Sequence, residues 1–360
     1  MLKIRVLVKD LERQGMEALR LVLQQVPTIK LRSLEREPPL PDQGIDIVAH
    51  VEVSGRRHVL VCEVKSSGQP RHVRMALLQL RDYVAHHAQN PSPVLIAPYL
   101  SRDAQALCRE QHVSYLDLEG NARLIFGSVF IERQVASKPV AERRELRSLF
   151  KPKSAQVLRV MLRDPHRAWR VTELAKAAAV SLGHVSNVRS GLLDREWAHV
   201  SDDGLFLSEP GALLDAWSAV YAPPVGKQTT FYTTLHGSAF EEVARRVLHA
   251  DDGAGPAAFA SFSAAQWLAP YARTGTQYFY TDDAGLERLR SALKLSSISK
   301  GENVLVTVLK DSGLFRDTVE PAPGAICTSP VQTYLDLAIA GERGREAAEH
   351  LRHERLTWPK

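Results

Sequence analysis

Apolar and polar positions are most sharply patterned between residues 44 and 66, GIDIVAHVEVSGRRHVLVCEVKSS. Two apolar runs flank Ser54-Gly55-Arg56-Arg57, the signature of a β-hairpin with strands at about 45–53 and 58–65. With Gly55 and Arg56 as a two-residue loop, facing pairs sum to 111, so Asp46 opposes Lys65 and Val48 opposes Glu63. Side chains alternate with period two, which brings Asp46, Glu63 and Lys65 out on one face. A loop one residue longer moves Asp46 to the opposite face. Val59, Leu60, Val61 and Cys62 leave both faces of the second strand apolar, as in a central, buried strand.

The same reading extends along the chain. Residues 1–9 alternate through Leu2, Ile4, Val6 and Val8 and predict a short strand, with a helix following over about 10–26. Pro38, Pro39 and Pro41 break the chain ahead of the hairpin. A helix is expected at about 71–87, a buried strand at 93–100, a helix capped by Ser101, and strands in VSYLDLEG and NARLIFGSVFIER. This alternation predicts an α/β core with helices on both faces of the sheet. Asp117 and Glu119 share a face of the VSYLDLEG strand, either as a second acidic cluster or as an exposed edge.

Residues 133–153, with Pro139 and Pro152, turn basic and irregular and read as a linker with a short helix. SAQVLRVMLRD then gives an amphipathic helix, Thr172 caps VTELAKAAAV, and Ser181 caps SLGHVSNVRSGLLDREW. Two strands joined through Asp202-Asp203-Gly204 complete the unit. Beyond residue 223, strands and helices alternate as far as two closing helices joined at Gly341–Gly344.

Composition narrows the classes. The chain has 360 residues, 44% hydrophobic and 24% charged, which fits a soluble chain of two or three domains. No apolar run is long enough to span a bilayer, and MLKIRVLVKDLERQG lacks the separate apolar core of a secretory signal. Cys62, Cys108 and Cys327 lie far apart without metal-ligand spacing, so zinc and disulfide frameworks are not expected and a cytoplasmic location is. The net charge of +5 is uneven: residues 1–153 carry +7, 154–209 balance, and 210–360 carry −2. The excess suits a phosphate-backbone partner for the N-terminal part.

Charges at the end of an interior strand are costly unless paired or bound to a cation. Two converging carboxylates form a hard-oxygen site suited to Mg²⁺, and a neighbouring lysine can offset phosphate charge there. The alternative is an ordinary salt-bridged strand end. Asp46, Glu63-Val64-Lys65 and Gln79 on the helix VRMALLQLRDYVAHH resemble the PD-(D/E)xK nuclease superfamily, in the manner of Holliday-junction resolvases. The resemblance implies that Asp46, Glu63 and the Val64 carbonyl hold Mg²⁺ or Mn²⁺. It also implies that Lys65 assists the nucleophile and that Gln79 is the polar residue borne on the helix. Glu12 or Glu17 fills the place of the family's acid on the first helix, and Gly44-Ile45 stands where a proline often precedes the Asp. Arg71, His72 and Arg74, at the mouth of the helix, either meet a scissile phosphate or form its solvated first turn.

The 154–209 pattern resembles the winged helix-turn-helix, whose second motif helix enters the major groove. Its exposed positions here are His184, Ser186, Asn187, Arg189 and Ser190, and Asn187 and Arg189 suit bidentate contacts to base edges. SFSAAQWLAP, GENV and SPVQTYLDLAIAGERGREAAEHL resemble the C-terminal domain of AbiEi-type regulators, the antitoxins of type IV toxin–antitoxin systems. That domain has been compared with a nucleotidyltransferase fold. Gly237-Ser238 is present, but Asp251-Asp252 are adjacent where that chemistry needs alternating acids, so a regulatory or dimerising role is expected.

The expected fold is multidomain α/β and α+β. A PD-(D/E)xK-like mixed sheet (1–136) leads through a basic linker (137–153) to a winged helix (154–222) and a nucleotidyltransferase-like α/β domain without the catalytic pattern (223–360). Two functions follow. One is a Mg²⁺-dependent DNA phosphodiesterase delivered by the winged helix. The other is a non-catalytic regulator or antitoxin whose nuclease-like fold serves binding or assembly. DNA, a second copy of the chain and a cognate toxin are the expected partners, and a membrane is not.

Overall fold

The computed structural model describes residues 2–36, 45–87, 90–135, 139–249, 255–271, 274–297 and 300–358. Pro38, Pro39, Pro41, the 136–138 part of the linker and the Asp251-Asp252 pair lie outside them. The architecture is multidomain α/β and α+β, with mixed sheets and helices. The contacts divide the chain into two units, Met1–Arg143 with Leu193–Glu196, and Arg144–Leu192 with Trp197–Lys360.

The first unit runs α1 (Leu2–Gln24), β1 (Ile29–Arg36), β2 (Ile47–Val53), β3 (Arg56–Val64), α2 (Pro70–His86), β4 (Ser92–Ala97), α3 (Arg102–Glu110), β5 (Ser114–Asp117), β6 (Ala122–Phe126) and β7 (Val129–Arg133). Its seven strands lie side by side in chain order. β3, β4 and β5 are parallel, while the other neighbours are antiparallel. Leu60 and Cys62 of β3 pack with Leu19 and Leu23 of α1, whereas Val61 packs with Val73 and Leu80 of α2. Both faces of β3 are therefore covered, as its unbroken apolar run requires.

Several expectations are corrected here. Within the stretch 1–9 expected as a strand, the described residues 2–9 instead begin α1. Four alternating residues are compatible with either state, and nothing between Val8 and Leu11 punctuates the chain to stop a helix from growing backwards. β1 has no counterpart in the sequence reading. Its pairing with β2 shifts between Leu31 and Ser33, so one extra residue breaks the alternation that would have revealed it. The NARLIFGSVFIER segment is two strands turned at Gly127 (φ +56°) and Ser128.

In the second unit, a helix at Val140–Leu149 (α4) replaces most of the irregular linker, and its last six residues fall in this unit. α5 (Pro152–Arg163), α6 (Val171–Ala178), α7 (Leu182–Asp194), β8 (Ala198–Ser201), β9 (Gly204–Leu207) and α8 (Pro210–Ser218) follow. Thr172 does not cap α6, because the helix begins at Val171 with Arg170 at its N-cap, two residues before Thr172. Next come β10 (Gly226–Phe231), α9 (Gly237–His249), β11 (Ala257–Phe259), α10 (Ser261–Leu268), β12 (Gln277–Thr281), α11 (Asp283–Ala292), β13 (Val304–Leu309), a 3-10 turn (Ser312–Asp317), β14 (Thr318–Val319), β15 (Cys327–Thr328), α12 (Pro330–Ala338) and α13 (Gly341–Arg355). They build a six-stranded sheet in the order β10-β13-β12-β11-β15-β14. The closing helices meet at Ile339-Ala340, so Gly344 lies inside α13.

Candidate functional site

The tip of the first hairpin fixes where its charges meet. Ser54 (φ 50°) and Gly55 (φ 82°) both take the left-handed conformation of a type I′ turn. Val53 therefore pairs with Arg56 and Ile47 with Cys62. Facing residues sum to 109, not 111, because the loop is Ser54-Gly55 instead of Gly55-Arg56. A two-residue slip preserves the alternation but changes the partners, and the continued register sets Asp46 opposite Glu63.

Glu63 is 4% exposed, and Asp46 is half-buried beside it. The Val64 N–H donates to Asp46 Oδ2 at 2.6 Å. Lys65 Nζ donates to Glu63 Oε1 at 2.5 Å and to Gln79 Oε1 at 2.8 Å. The structure thus brings Glu63, Lys65 and Gln79 into one hydrogen-bonded chain, with Asp46 held next to it. Glu63 Oε2 is buried without a hydrogen-bond partner.

The electrostatics follow from this crowding. Burial raises the Glu63 carboxyl to about 7, and the Asp46 charge adds to the rise against the opposing pull of Lys65. Burial also raises Asp46, offset by the Val64 N–H and then by Lys65. Glu12 of α1 is raised by burial first and by the Asp46 charge second. Glu12 is therefore the helix acid that senses the site, while Glu17 is exposed. Glu12 also pairs with Arg36 Nε at 3.5 Å.

A hard cation fits the donor set at Asp46 and Glu63, where an orphaned carboxylate oxygen lies against a second carboxylate. Among the described residues no group of three or more His, Cys, Asp or Glu side chains is placed to hold a metal ion. Mg²⁺ characteristically needs one or two carboxylates and completes its shell with water.

The loop after Lys65 is pinned at its middle. Gly68 bridges Leu100 and its carbonyl accepts the Ser101 N–H at 3.3 Å. A Cβ on Gly68 would stand 1.9 Å from the Tyr99 carbonyl oxygen, so only glycine fits there. Pro70 then opens α2, where Arg71 is exposed. Arg74 is not a free cation: its guanidinium makes a two-point ion pair with Glu196, at 2.8 and 3.1 Å, within the first unit. Asp117 is neither an exposed edge nor part of an acidic cluster. It is 1% exposed and accepts from the Leu100, Glu119 and Asn121 backbone N–H groups and from Asn121 Nδ2.

In the second unit α6 ends at Ala179 in the left-handed conformation (φ 49°), and Ser181 receives the His184 N–H at the head of α7. Val185, Val188 and Leu192 face inward, at helical spacing. His184, Ser186, Asn187 and Ser190 are exposed, and Arg189 is half-buried. The His184 ring is held by Ser181 Oγ, 2.8 Å from Nδ1. β8 and β9 form a two-stranded antiparallel hairpin with the exposed Asp202-Asp203 at its tip. Trp169 pairs with Leu205 through an isolated antiparallel bridge. Gly204 (φ +141°) permits this, since a Cβ there would lie 2.4 Å from the Trp169 carbonyl oxygen.

Sequence reasoning missed a buried network beyond the β8–β9 hairpin. Asp336, 6% exposed, accepts from Tyr221 at 2.5 Å and from Gln332 Nε2 at 3.0 Å. Gln332 Oε1 in turn accepts from Arg159 Nη1 at 3.1 Å. Burial raises Asp336 to about 6 despite these donors. The signal was available in the sequence: Gln332 and Asp336 are polar residues four apart, at helical spacing, in a largely apolar helix.

Comparison with known proteins adds the following. Three solved structures show distant, partial likeness. EndoMS in its apo form is 18% identical, covering 29% of this chain and 45% of that one, with a TM-score of 0.21. A repair endonuclease from Pyrococcus abyssi is 19% identical over 28% and 45%, with a TM-score of 0.21. EndoMS in a complex with double-stranded DNA is 22% identical over 29% and 45%, with a TM-score of 0.20. The match spans less than half the length of these structures, and likeness of this size fixes neither fold nor activity. No curated protein matches the chain. Residues 207–357, by contrast, match the family model of the AbiEi antitoxin, a transcriptional regulator of type IV toxin–antitoxin systems, and it is this C-terminal part that is similar to a described family.

Proposed function

We propose that the protein is a DNA-binding transcriptional regulator of the AbiEi antitoxin kind, reading DNA with a winged helix at 154–222. The C-terminal part, 223–360, serves regulation or dimerisation, and the nuclease-like unit, 1–136, serves binding or assembly. The exposed polar face of α7 carries this reading: its apolar side is spent on the core at Val185, Val188 and Leu192, leaving Ser186, Asn187 and Ser190 outward with Arg189 at the margin. The similarity of 207–357 to an antitoxin family supports it. A homodimer and a cognate toxin are the partners proposed with it.

The test is selection of binding sites from a random duplex pool, followed by anisotropy titration at fixed salt. Asn187→Ala/Arg189→Ala should weaken the selected site by about 1–3 kcal/mol per lost bidentate contact. Unchanged affinity would remove the groove assignment.

A second reading rests on the orphaned Glu63 oxygen beside Asp46. In it the first unit is a phosphodiesterase. Asp46, Glu63 and the Val64 carbonyl would hold Mg²⁺ or Mn²⁺, which when bound supplies Lewis acidity and a more acidic water. Lys65 offsets charge on the phosphate, Gln79 orients Lys65, and Arg71 meets the backbone. Plasmid and four-way-junction DNA, incubated with either metal or with chelator, decide between the readings. Metal-dependent cleavage abolished by Lys65→Ala would establish the second, and intact DNA in every lane would leave the first.

A further inference from the structure

The second unit contains a cavity of about 510 Å³ where α5, the segment after α8 and the 3-10 turn meet. This is within the size range of small-molecule sites, which favour a mainly apolar wall with a few convergent polar groups. The apolar wall is supplied by Phe150 and Trp217, stacked at 5.4 Å between ring centroids, together with Val220, Pro223 and Leu314. The polar part is one-sided. Arg147, Lys151, Arg159 and Lys310 line the cavity against a single acid, Asp311.

Asp311 is already engaged, accepting from the Gly313 N–H at 2.7 Å and pairing with Lys153 at 3.5 Å. Among the described residues Arg147, Lys151 and Lys310 have no ion-pair partner, and all three are exposed at the mouth. Arg159 is 7% exposed at the base, and its nearest carboxylate, Asp317, stands 3.9 Å from Nε and is shared with Arg163. The floor is polar as well. Gln156, 5% exposed, lines the cavity and leaves Oε1 without a hydrogen-bond partner.

We propose that this cavity binds a small amphipathic organic anion, its flat apolar body against Phe150 and Trp217 and its carboxylate or phosphate toward Lys151, Lys310 and Arg147. Charge complementarity selects the sign of the ligand, since four cations face one committed acid. The aromatic pair selects a planar body. The occupant lies on a seam, because Arg159 of α5 holds Gln332 of α12 from the same wall. A bound anion would therefore brace α5 against α12. The claim concerns binding to this cavity and stands whether or not α7 reads DNA.

The test is calorimetric titration of the full chain with 2-naphthoate and with its neutral counterpart 2-naphthalenemethanol. The anion should bind at least about tenfold more tightly than the alcohol, as the gain of one favourable charge contact implies. Lys151→Glu/Lys310→Glu should remove that preference, and Lys227→Glu, outside the cavity, should preserve it. The reversed lysines are exposed, so the fold is not at risk. Ala222→Trp, at the exposed rim, should close the mouth to both compounds. Equal affinity for anion and alcohol, an unchanged preference in the double variant, or no heat from 2-naphthoate up to about 10 mM would each overturn the proposal.

Discussion

Two strands of one sheet end in a buried acid, and the two acids are treated in opposite ways. Asp117, at the end of β5, accepts four hydrogen bonds from Leu100, Glu119 and Asn121. Glu63, at the end of β3, has one lysine, one orphaned oxygen and a second carboxylate for a neighbour. Burial raises both, but the donors around Asp117 are built for a charge, whereas the surroundings of Glu63 work against one. A fully satisfied carboxylate organises a loop. An under-satisfied one, kept next to another acid, leaves room for a proton or a cation to complete it.

The contrast breaks most visibly on substitution. Asp117→Ala strands three backbone N–H groups and the Asn121 amide in a buried site, at a cost of about 3–5 kcal/mol in denaturant unfolding. Glu63→Gln removes a repelling charge and should change stability at pH 8 by less than about 1 kcal/mol, or raise it. Equal losses in the two variants would mean that Glu63 is as structural as Asp117.

The pH dependence comes next in size. Glu63 titrates near 7 in the folded chain and near 4.5 in the unfolded one, so the folded state holds the proton more tightly between those values. Its contribution is fully present below about pH 4.5 and is lost as pH rises through 7, a fall on the order of 3 kcal/mol. Unfolding free energies across that window should decline with pH in the parent and lose this component in Glu63→Gln.

Mg²⁺ should act in the same place and with the opposite sign. At pH 8, a concentration tenfold above its dissociation constant would stabilise the parent by about 1.4 kcal/mol, with little effect on Asp46→Asn or Glu63→Gln. A thermal shift shared by all three proteins would place the ion elsewhere. The smallest effect is at the turn. Ser54→Asn suits the left-handed position better and should add about 0.5 kcal/mol while keeping Asp46 opposite Glu63.

The sheet's central run was legible because nothing interrupts its pattern, and the alternation of Asp46, Glu63 and Lys65 survived because a slip of two leaves parity intact. The partner assignments did not survive. They depended on which of Ser54 and Arg56 adopts a positive φ, and a serine gives no signal of this. β1 was hidden by its bulge, and α1 was mistaken at its start because eight residues cannot separate period two from period 3.6 without a boundary. Asp117 looked like a surface acid because its four donors come from a loop and from Leu100, positions that composition does not connect. The buried and exposed sides of α7 could be read in advance, since Val185, Val188 and Leu192 recur at helical spacing and leave the polar residues outward.

The clamp at Gly68 bears on how Lys65 can behave. The ammonium stands on one side of that glycine and Gln79, through α2, on the other, with the backbone between them stitched to Leu100. A loop fastened at its midpoint cannot absorb slack, so lysine and glutamine must travel together or not at all. The chain has given up adjustability at this corner in exchange for constant aim.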